Sequence, residues 1–228
     1  MLPEHTRCLN APVRCGIVQM AALGGVRTAS PCLDEMLREF IAGKKKDGLR
    51  VLVDNYPWDD WLVRGLKPVE NRHLSVVIHP SSGGRWWPVK QNKGRASTEA
   101  LGEHQEAIRG DLEDALALVP PGKERTGIIG MVRVIVCWDT RDPKLLPDWK
   151  QHFHDDHLPW MEGPSSTRPF AWVVDQAIEF DVPIPCHGGN FGPMSIDKYS
   201  LATAEDEEDS TVRAALIARL QSLGRLRK

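Results

Sequence analysis

The residues best suited to chemistry in this sequence lie in one short segment, YPWDDWLVRGLKPVENR, at positions 56–72. Lys67, Glu70 and Arg72 follow a turn-forming glycine, Gly65. Lysine offers a point charge to a phosphate and arginine a two-pronged donor. A carboxylate can pair with either cation, or accept a hydrogen bond from the amino group of cytosine. The spacing therefore predicts a ligand site, and a surface ion-pair cluster of little energetic effect is the alternative.

A tryptophan and an arginine precede this trio. Trp58 could stack on an extruded base, or it could pack in the core. We predict that Trp58 and Arg64 bind nucleic acid together with Lys67 and Arg72. If the protein is an enzyme, a desolvated Lys67 would act as base or charge stabiliser, with Glu70 as its proton partner.

A second candidate region, GGRWWPVKQNKGR at 83–95, combines cations with aromatic rings. Cations for phosphates and rings for bases are what a single-stranded nucleic-acid site requires. The sequence predicts a loop here that contacts RNA, and a loop that is merely solvated is the alternative. Its predicted nucleic-acid-binding residues are Arg85, Trp86, Trp87, Lys90, Lys93 and Arg95.

The segment HFHDDHLPW at 152–160 contains residue types that bind metals. On a helix His154 and His157 would share a face, whereas His152 would not. We therefore predict a polar loop or short helix and no metal site. No cofactor is predicted either, because the chain has neither G-x-G-x-x-G nor G-x-x-x-x-G-K.

The sequence offers little for nucleophilic catalysis. It has no G-x-S-x-G motif. Cys137 lies in an apolar, buried-looking segment, and buried cysteine is usually inert. Cys186 precedes His187, but adjacent residues on a strand face opposite ways, so they do not form a ready nucleophile and base.

The elements that must position these residues alternate irregularly along the chain. Patterns of apolar residues predict strands at 49–55, 73–80, 128–139 and 170–180. They predict helices at 30–46, 57–65, 97–119 and, after the acidic EDEED run, at 205–228. This order favours an α+β fold, a compact mixed β-barrel flanked by helices, over a doubly wound parallel sheet. We predict an N-terminal extension with one helix at 1–48, the barrel at 49–200 and a C-terminal helix at 201–228.

Composition narrows the class of protein. A formal net charge of -2 excludes a wholly basic nucleic-acid binder but leaves room for a basic face. Five cysteines without a C-x-x-C pair argue against a disulfide framework and a zinc ribbon, and indicate a reducing cytoplasmic or nuclear setting. We expect no membrane span, because no run of eighteen apolar residues occurs.

Four blocks of the sequence resemble the ASCH family of the PUA-like superfamily. In the segment at 56–72, Pro-Trp opens a short helix, a Gly-Lys step follows, and V-E-x-R leads into a strand. The blocks IHPS, GIIGMVRVIVCW and FAWVVDQAIEFDVPIPCHGG are similar to later strands and the closing segment of that family. The blocks occur in the family's order between about residues 50 and 197.

The resemblance implies a small PUA-like β-barrel with helices beside a cleft, and RNA as the ligand class. Some family members resemble hydrolases of acetylated cytidine, and others resemble ribonucleases. The hydrolases carry Lys-x-x-Thr, whereas this chain has Glu70 in place of that threonine. We therefore predict an ASCH-like RNA- or nucleotide-binding module that uses a cationic cleft holding Lys67, Glu70 and Arg72. The alternatives are a hydrolase of an acylated nucleoside, a ribonuclease, and a protein-interaction adaptor that uses its terminal helices.

Overall fold

A computed structural model of the protein describes residues 17–19, 50–78, 84–95, 101, 126–142, 157–188, 194–201 and 211–225. The strands are β1 Ile17–Gln19, β2 Arg50–Tyr56, β3 Val69–Arg72, β4 Arg85–Arg95, β5 Gly127–Asp139, β6 Phe170–Ile184, β7 Cys186–His187, β8 Met194–Ser195 and β9 Ser200–Leu201. The helices are α1 Trp58–Val63 and α2 Val212–Arg225, with short 3-10 turns at Leu158–Trp160 and Ile196–Lys198.

The protein is mixed α+β, and its main sheet curls into a half-barrel. The five principal strands, β2 to β6, form the curl, and the short strands β1 and β8 extend it. The order is β1-β6-β5-β4-β2-β8, with β3 also paired to β6. Only the β2–β4 pair of this sheet is parallel. An α+β protein built on a curved sheet is confirmed at this level.

The two longest strands form the middle of the sheet. The predicted strand at 128–139 is β5, and the one at 170–180 is the first part of β6. Gly130 of β5 lets α1 approach closely, because a Cβ there would lie 2.8 Å from a methyl carbon of Val63. The same Cβ would lie 2.2 Å from the carbonyl oxygen of Ile178. Helix α1 is thus seated directly on the centre of the sheet.

The predicted strand at 73–80 is wrong for its described residues, 73–78, which form no strand. The strand in this region is β3, just before the predicted one, and it pairs with β6. Beyond β3, Val76 and Ile78 pack against a buried cluster. Trp172 Nε1 donates to the Leu74 carbonyl at 3.1 Å, and the Val76 amide donates to Cys137 Sγ at 3.4 Å. Val77 points into solvent, 91% exposed.

The predicted loop at 83–95 is also wrong from Arg85 onward, because these residues form strand β4. β4 pairs with β2 on one edge and β5 on the other. Residues 86–91 of β4 are buried on both faces, so apolar and polar residues do not alternate there in the way that marks a half-exposed strand.

The C-terminal helix packs on its own sheet. Val212, Leu216 and Leu220 of α2 are buried in one cluster with Val51 of β2 and Trp86 of β4. Two further clusters of buried residues contain the side chains of α1. Among the described residues, no helix has the length and apolarity needed to cross a membrane. The predicted helix at 30–46 lies outside the described residues, as does all but Leu101 of the one at 97–119.

Candidate ligand site

A tight turn after α1 brings Lys67 next to strand β3. The helix ends at Arg64, and Gly65 takes a positive φ of 72°, which suits glycine. The amides of Leu66 and Lys67 both donate to the Trp61 carbonyl, at 2.8 and 3.1 Å. β3 then pairs with β6. Because alternate residues of a strand share a face, Glu70 and Arg72 project to the same side.

Four charged side chains meet at this point and are called the interior network: Asp54, Lys67, Glu70 and Arg72. Glu70 lies between two cations, because Oε2 accepts from Lys67 Nζ and Oε1 lies 2.7 Å from Arg72 Nε. Arg72 Nη2 also donates to the Val53 carbonyl at 3.0 Å and lies 3.6 Å from Asp54 Oδ2. Lys67, Glu70 and Arg72, which were predicted to hold a ligand together, are thus in contact with one another.

The interior network is almost fully enclosed. Lys67, Glu70 and Arg72 are 4%, 2% and 8% exposed. A surface ion-pair cluster, the alternative drawn from sequence, would not show such burial. Charges out of water interact more strongly than exposed ones, so the titrations of the two carboxylates, Asp54 and Glu70, depend on each other.

The two carboxylates of the network have opposite pKa shifts. Burial alone would raise the pKa of Glu70. The positive charges of Arg72 and Lys67, together with hydrogen bonds from Lys67 and Asp54, outweigh burial and lower the pKa to about 2. Burial, assisted by repulsion from Glu70, raises the pKa of Asp54 to about 6 despite the attraction of Arg72 and Lys67. Glu70 therefore stays ionised down to much lower pH than Asp54 does.

Two further acids, Asp59 and Asp60 of α1, extend the network towards β4. Gln91 holds both, because its Nε2 donates to Asp59 Oδ1 at 3.1 Å and to Asp60 Oδ2 at 2.7 Å. Burial, with repulsion from Asp54 and Asp60, raises the pKa of Asp59 well above its usual range. In the parallel β2–β4 pair Gln91 lies opposite Asp54, which places these groups on one face of the sheet.

Acidic side chains outnumber cations among the described residues of this face. The described acids are Asp54, Asp59, Asp60 and Glu70, and the described cations in contact with them are Lys67 and Arg72. Both cations are already engaged by carboxylates, so this face is better suited to hydrogen-bond donors than to a phosphate.

The tryptophans beside the network serve as packing. Trp58 is 7% exposed, and Lys67 Nζ lies 5.1 Å from its ring centroid. Trp61 meets Trp58 edge-on with ring centroids 5.2 Å apart, and meets Trp160 at 6.1 Å. Trp58 thus shields the lysine from solvent, which agrees with the core alternative for this ring. Stacking of a base on Trp58 stays a prediction.

Of the other predicted nucleic-acid-binding residues, those with described side chains have other contacts or positions. Arg64 pairs with Glu179 of β6 at 3.2 Å, and the Arg85 guanidinium lies 4.8 Å from the Trp87 ring. Trp86 and Trp87 are 5% and 0% exposed, on strand β4. Lys90 lies opposite Val53 and therefore faces the other side of the sheet from Gln91. The side chains of Lys93 and Arg95 lie outside the described residues.

Sequence reasoning missed Asp54, Asp59, Asp60 and Gln91. Two signals were available. The adjacent acids of PWDDW stand between tryptophans in an otherwise apolar short helix, and Asp54 interrupts the apolar run RVLVDNY. A charged residue in an apolar element is seldom buried without a partner, so its position marks a contact.

The described residues contain no group of three or more His, Cys, Asp or Glu side chains that could hold a metal ion. Of the three histidines in the predicted polar segment, His157 is buried, and His152 and His154 lie outside the described residues. Burial raises the pKa of both described thiols, Cys137 and Cys186, which disfavours their reactive thiolate forms.

Comparison with known proteins found no family model that matches the chain and no curated protein that is similar to it. The ASCH resemblance therefore still depends on the four sequence blocks.

Proposed function

We propose that this protein is an ASCH-like RNA- or nucleotide-binding module, and that the interior network with Asp59 and Asp60 contacts a nucleobase. The observation that carries the proposal is the convergence of Lys67, Glu70 and Arg72 in one buried cluster. The ASCH-like block at 56–72 supplies all three residues, and Asp54 of β2 completes the group.

The charge balance of this face indicates which part of a nucleotide it accommodates. Ionised carboxylates only accept hydrogen bonds, and the exocyclic amino group of a base is a donor that carboxylates recognise. A phosphate would instead add negative charge to a group of acids. The proposal is therefore that cytosine, adenine or guanine is read by its amino edge, with the phosphates outside the network.

Binding of matched nucleotides to the wild-type chain tests this proposal without any substitution. We expect calorimetric titration to show that cytidine monophosphate binds more tightly than uridine monophosphate by about 1–3 kcal/mol, the usual value of one good base contact. Oligo(C) and oligo(U) provide the same comparison for single-stranded RNA. Asp54→Asn tests the network itself: it keeps the side-chain shape, and the preference for cytidine should shrink.

Arg213→Met is the matched control for this titration, because Arg213 is an exposed cation on α2. It should leave the preference for cytidine unchanged. Equal affinity for cytidine and uridine nucleotides would contradict recognition of the amino group. Absence of binding to every nucleotide and RNA would contradict the whole proposal.

One observation favours a hydrolase as the second candidate. Asp54, with a pKa of about 6, lies beside a lysine–glutamate pair, and a group with a pKa near the working pH is suited to proton transfer. Glu70 replaces the threonine of the family's hydrolases, so the nucleophile of this reaction would be a water molecule. Product formation from N4-acetylcytidine by the purified chain, lost in Asp54→Asn, would support this candidate.

The adaptor alternative has less support. The apolar stripe of α2 was its proposed surface, and Leu216 and Leu220 of that stripe are buried against the protein's own sheet.

A further inference from the structure

A buried lysine, Lys90, lies on the face of the sheet opposite the interior network and, unlike Lys67, has no carboxylate partner among the described residues. Lys90 of β4 is 7% exposed. Within the part of the chain that the structure describes, no carboxylate forms an ion pair with it. Lysine is seldom buried without a partner, because removing an ammonium group from water costs free energy that a counter-charge must offset.

Two polar side chains accompany Lys90. Ile128 lies opposite Lys90 across the β4–β5 pair, and the Ile128 amide donates a hydrogen bond to Cys186 of β7. The lysine charge reaches this thiol and opposes the effect of burial on its pKa. Tyr199, next to β9, packs in the same apolar cluster as Cys186. Because Lys90 lies opposite Ile128, which is buried in the cluster of Cys186 and Tyr199, the three side chains lie on the same side of the sheet, beside the described residues 186–188 and 194–201.

The phenol of Tyr199 also lacks a partner. Tyr199 is 6% exposed, and its hydroxyl has no hydrogen-bond partner. A buried hydroxyl without a partner costs about 1–3 kcal/mol, so most such groups bind protein or an ordered ligand. The hydroxyl is thus a second, independent sign that a ligand group completes this location.

We propose that Lys90, Tyr199 and Cys186 form a binding site for a phosphate group, either free phosphate or the phosphate of a nucleotide. Lysine supplies the charge, and the phenol and the thiol supply hydrogen-bond donors.

The protonation states of the two donors agree with an anionic ligand. Burial, together with the nearby Cys186, raises the pKa of Tyr199 to about 12, so the phenol keeps its proton. Burial raises the pKa of Cys186, and Lys90 and the Ile128 amide only partly oppose this effect. The thiol is therefore neutral at physiological pH and does not itself provide the counter-charge for Lys90.

Thermal unfolding of the full chain in inorganic phosphate, against chloride at equal ionic strength, tests the phosphate site. We expect phosphate to raise the Tm of the wild type by about 2–4 °C at a few times the dissociation constant, which corresponds to roughly 1 kcal/mol for a chain of this size. Lys90→Met should abolish the shift. Lys198→Met, at an exposed lysine in the same segment, is the matched control and should retain it.

Tyr199→Phe keeps the test decisive if Lys90→Met does not fold. It removes only a hydroxyl that has no partner, so the folded state should persist while the phosphate shift falls. The proposal would be overturned if phosphate did not change the Tm of the wild type. It would also be overturned if phosphate shifted the Tm of the wild type, Lys90→Met and Tyr199→Phe equally.

The source of the phosphate is decided by comparing inorganic phosphate with uridine monophosphate. Equal shifts identify a site for free phosphate, and a larger shift with the nucleotide identifies a nucleotide phosphate. This site lies on the other face of the sheet from the interior network. Its failure would therefore leave the cytidine–uridine comparison untouched, and the reverse is also true.

Discussion

The interior network and the surface pair Arg213–Asp197 contain similar bonds in different surroundings. In the surface pair, Arg213 donates to both carboxylate oxygens of Asp197, at 3.1 and 2.9 Å. In the network, Glu70 is likewise held by two cationic contacts. The side chains of the surface pair are 33% and 58% exposed, whereas those of Lys67 and Glu70 are 5% and 3% exposed.

The difference shows why bond geometry alone does not measure the importance of an ion pair. Water replaces a lost partner of an exposed charge at little cost. A buried charge has no such replacement, so the loss of its partner exposes the full cost of its desolvation. A buried network of this kind is weak evidence for stability, since apolar residues often fill the same space equally well. Its presence beside the ASCH-like turn therefore favours a role in binding.

Removal of the central anion should have the largest effect. Glu70→Gln leaves Lys67 without its anionic partner and Arg72 with only the more distant Asp54. We expect the free energy of unfolding to fall by about 3–5 kcal/mol, as for other broken buried pairs. Urea denaturation measures it.

The control for this loss is a double variant. Lys67→Met combined with Glu70→Gln removes a buried cation together with the anion, so its cost should be smaller than the sum of the two single costs. Additive costs would show that Lys67 and Glu70 are energetically independent, and that the network is not a unit.

The pH dependence of stability should show the next largest effect. The pKa of Asp54 is about 6 in the folded protein, above its ordinary value of 3.8, so the folded state binds the proton more tightly than the unfolded chain does. The free energy of unfolding should therefore fall as pH rises from about 4 to about 6. Two pKa units correspond to an effect on the order of 2–3 kcal/mol.

Asp54→Asn removes this contribution, together with the smaller effect that Asp54 has on the pKa values of Asp59 and Glu70. The free energy of unfolding of both proteins is measured in urea from pH 4 to pH 7. As pH rises, the wild type should lose stability relative to the variant.

Glu70 contributes to stability with the opposite sign and at lower pH, because its pKa is held at about 2, below the ordinary 4.5. Its stabilisation is lost only as pH falls from about 4.5 towards 2. A constant difference from pH 4 to pH 7 would show that Asp54 titrates normally.

Sequence reasoning found the part of the network that is local in the chain. Glu70 and Arg72 lie two apart in one strand and therefore share a face, and the turn that precedes the strand brings Lys67 to them. Asp54 and Gln91 belong to β2 and β4, which meet the network only through the parallel strand pair. Chain-local patterns contain no information about such pairing, because it depends on the whole sheet.

Local sequence patterns also predicted some strands correctly and missed others. β5 and the first part of β6 are long β-branched or aromatic runs, which few other structures accommodate. β4 contains a proline, a glycine, two lysines and two arginines, and its burial on both faces removes the expected alternation. The strand predicted at 73–80 has suitable residues, but β3 occupies the edge of β6 in its place.

The surface pair should give the smallest effect, and this result completes the comparison. Arg213→Met removes the two hydrogen bonds to Asp197 and keeps most of the apolar stem of the side chain. Because both groups are then hydrated, we expect the free energy of unfolding to change by less than about 1 kcal/mol in urea. A loss as large as that of Glu70→Gln would mean that the docking of α2, and not burial of charge, determines the cost of breaking an ion pair in this protein. The choice of the network as the binding site would then lose its energetic argument.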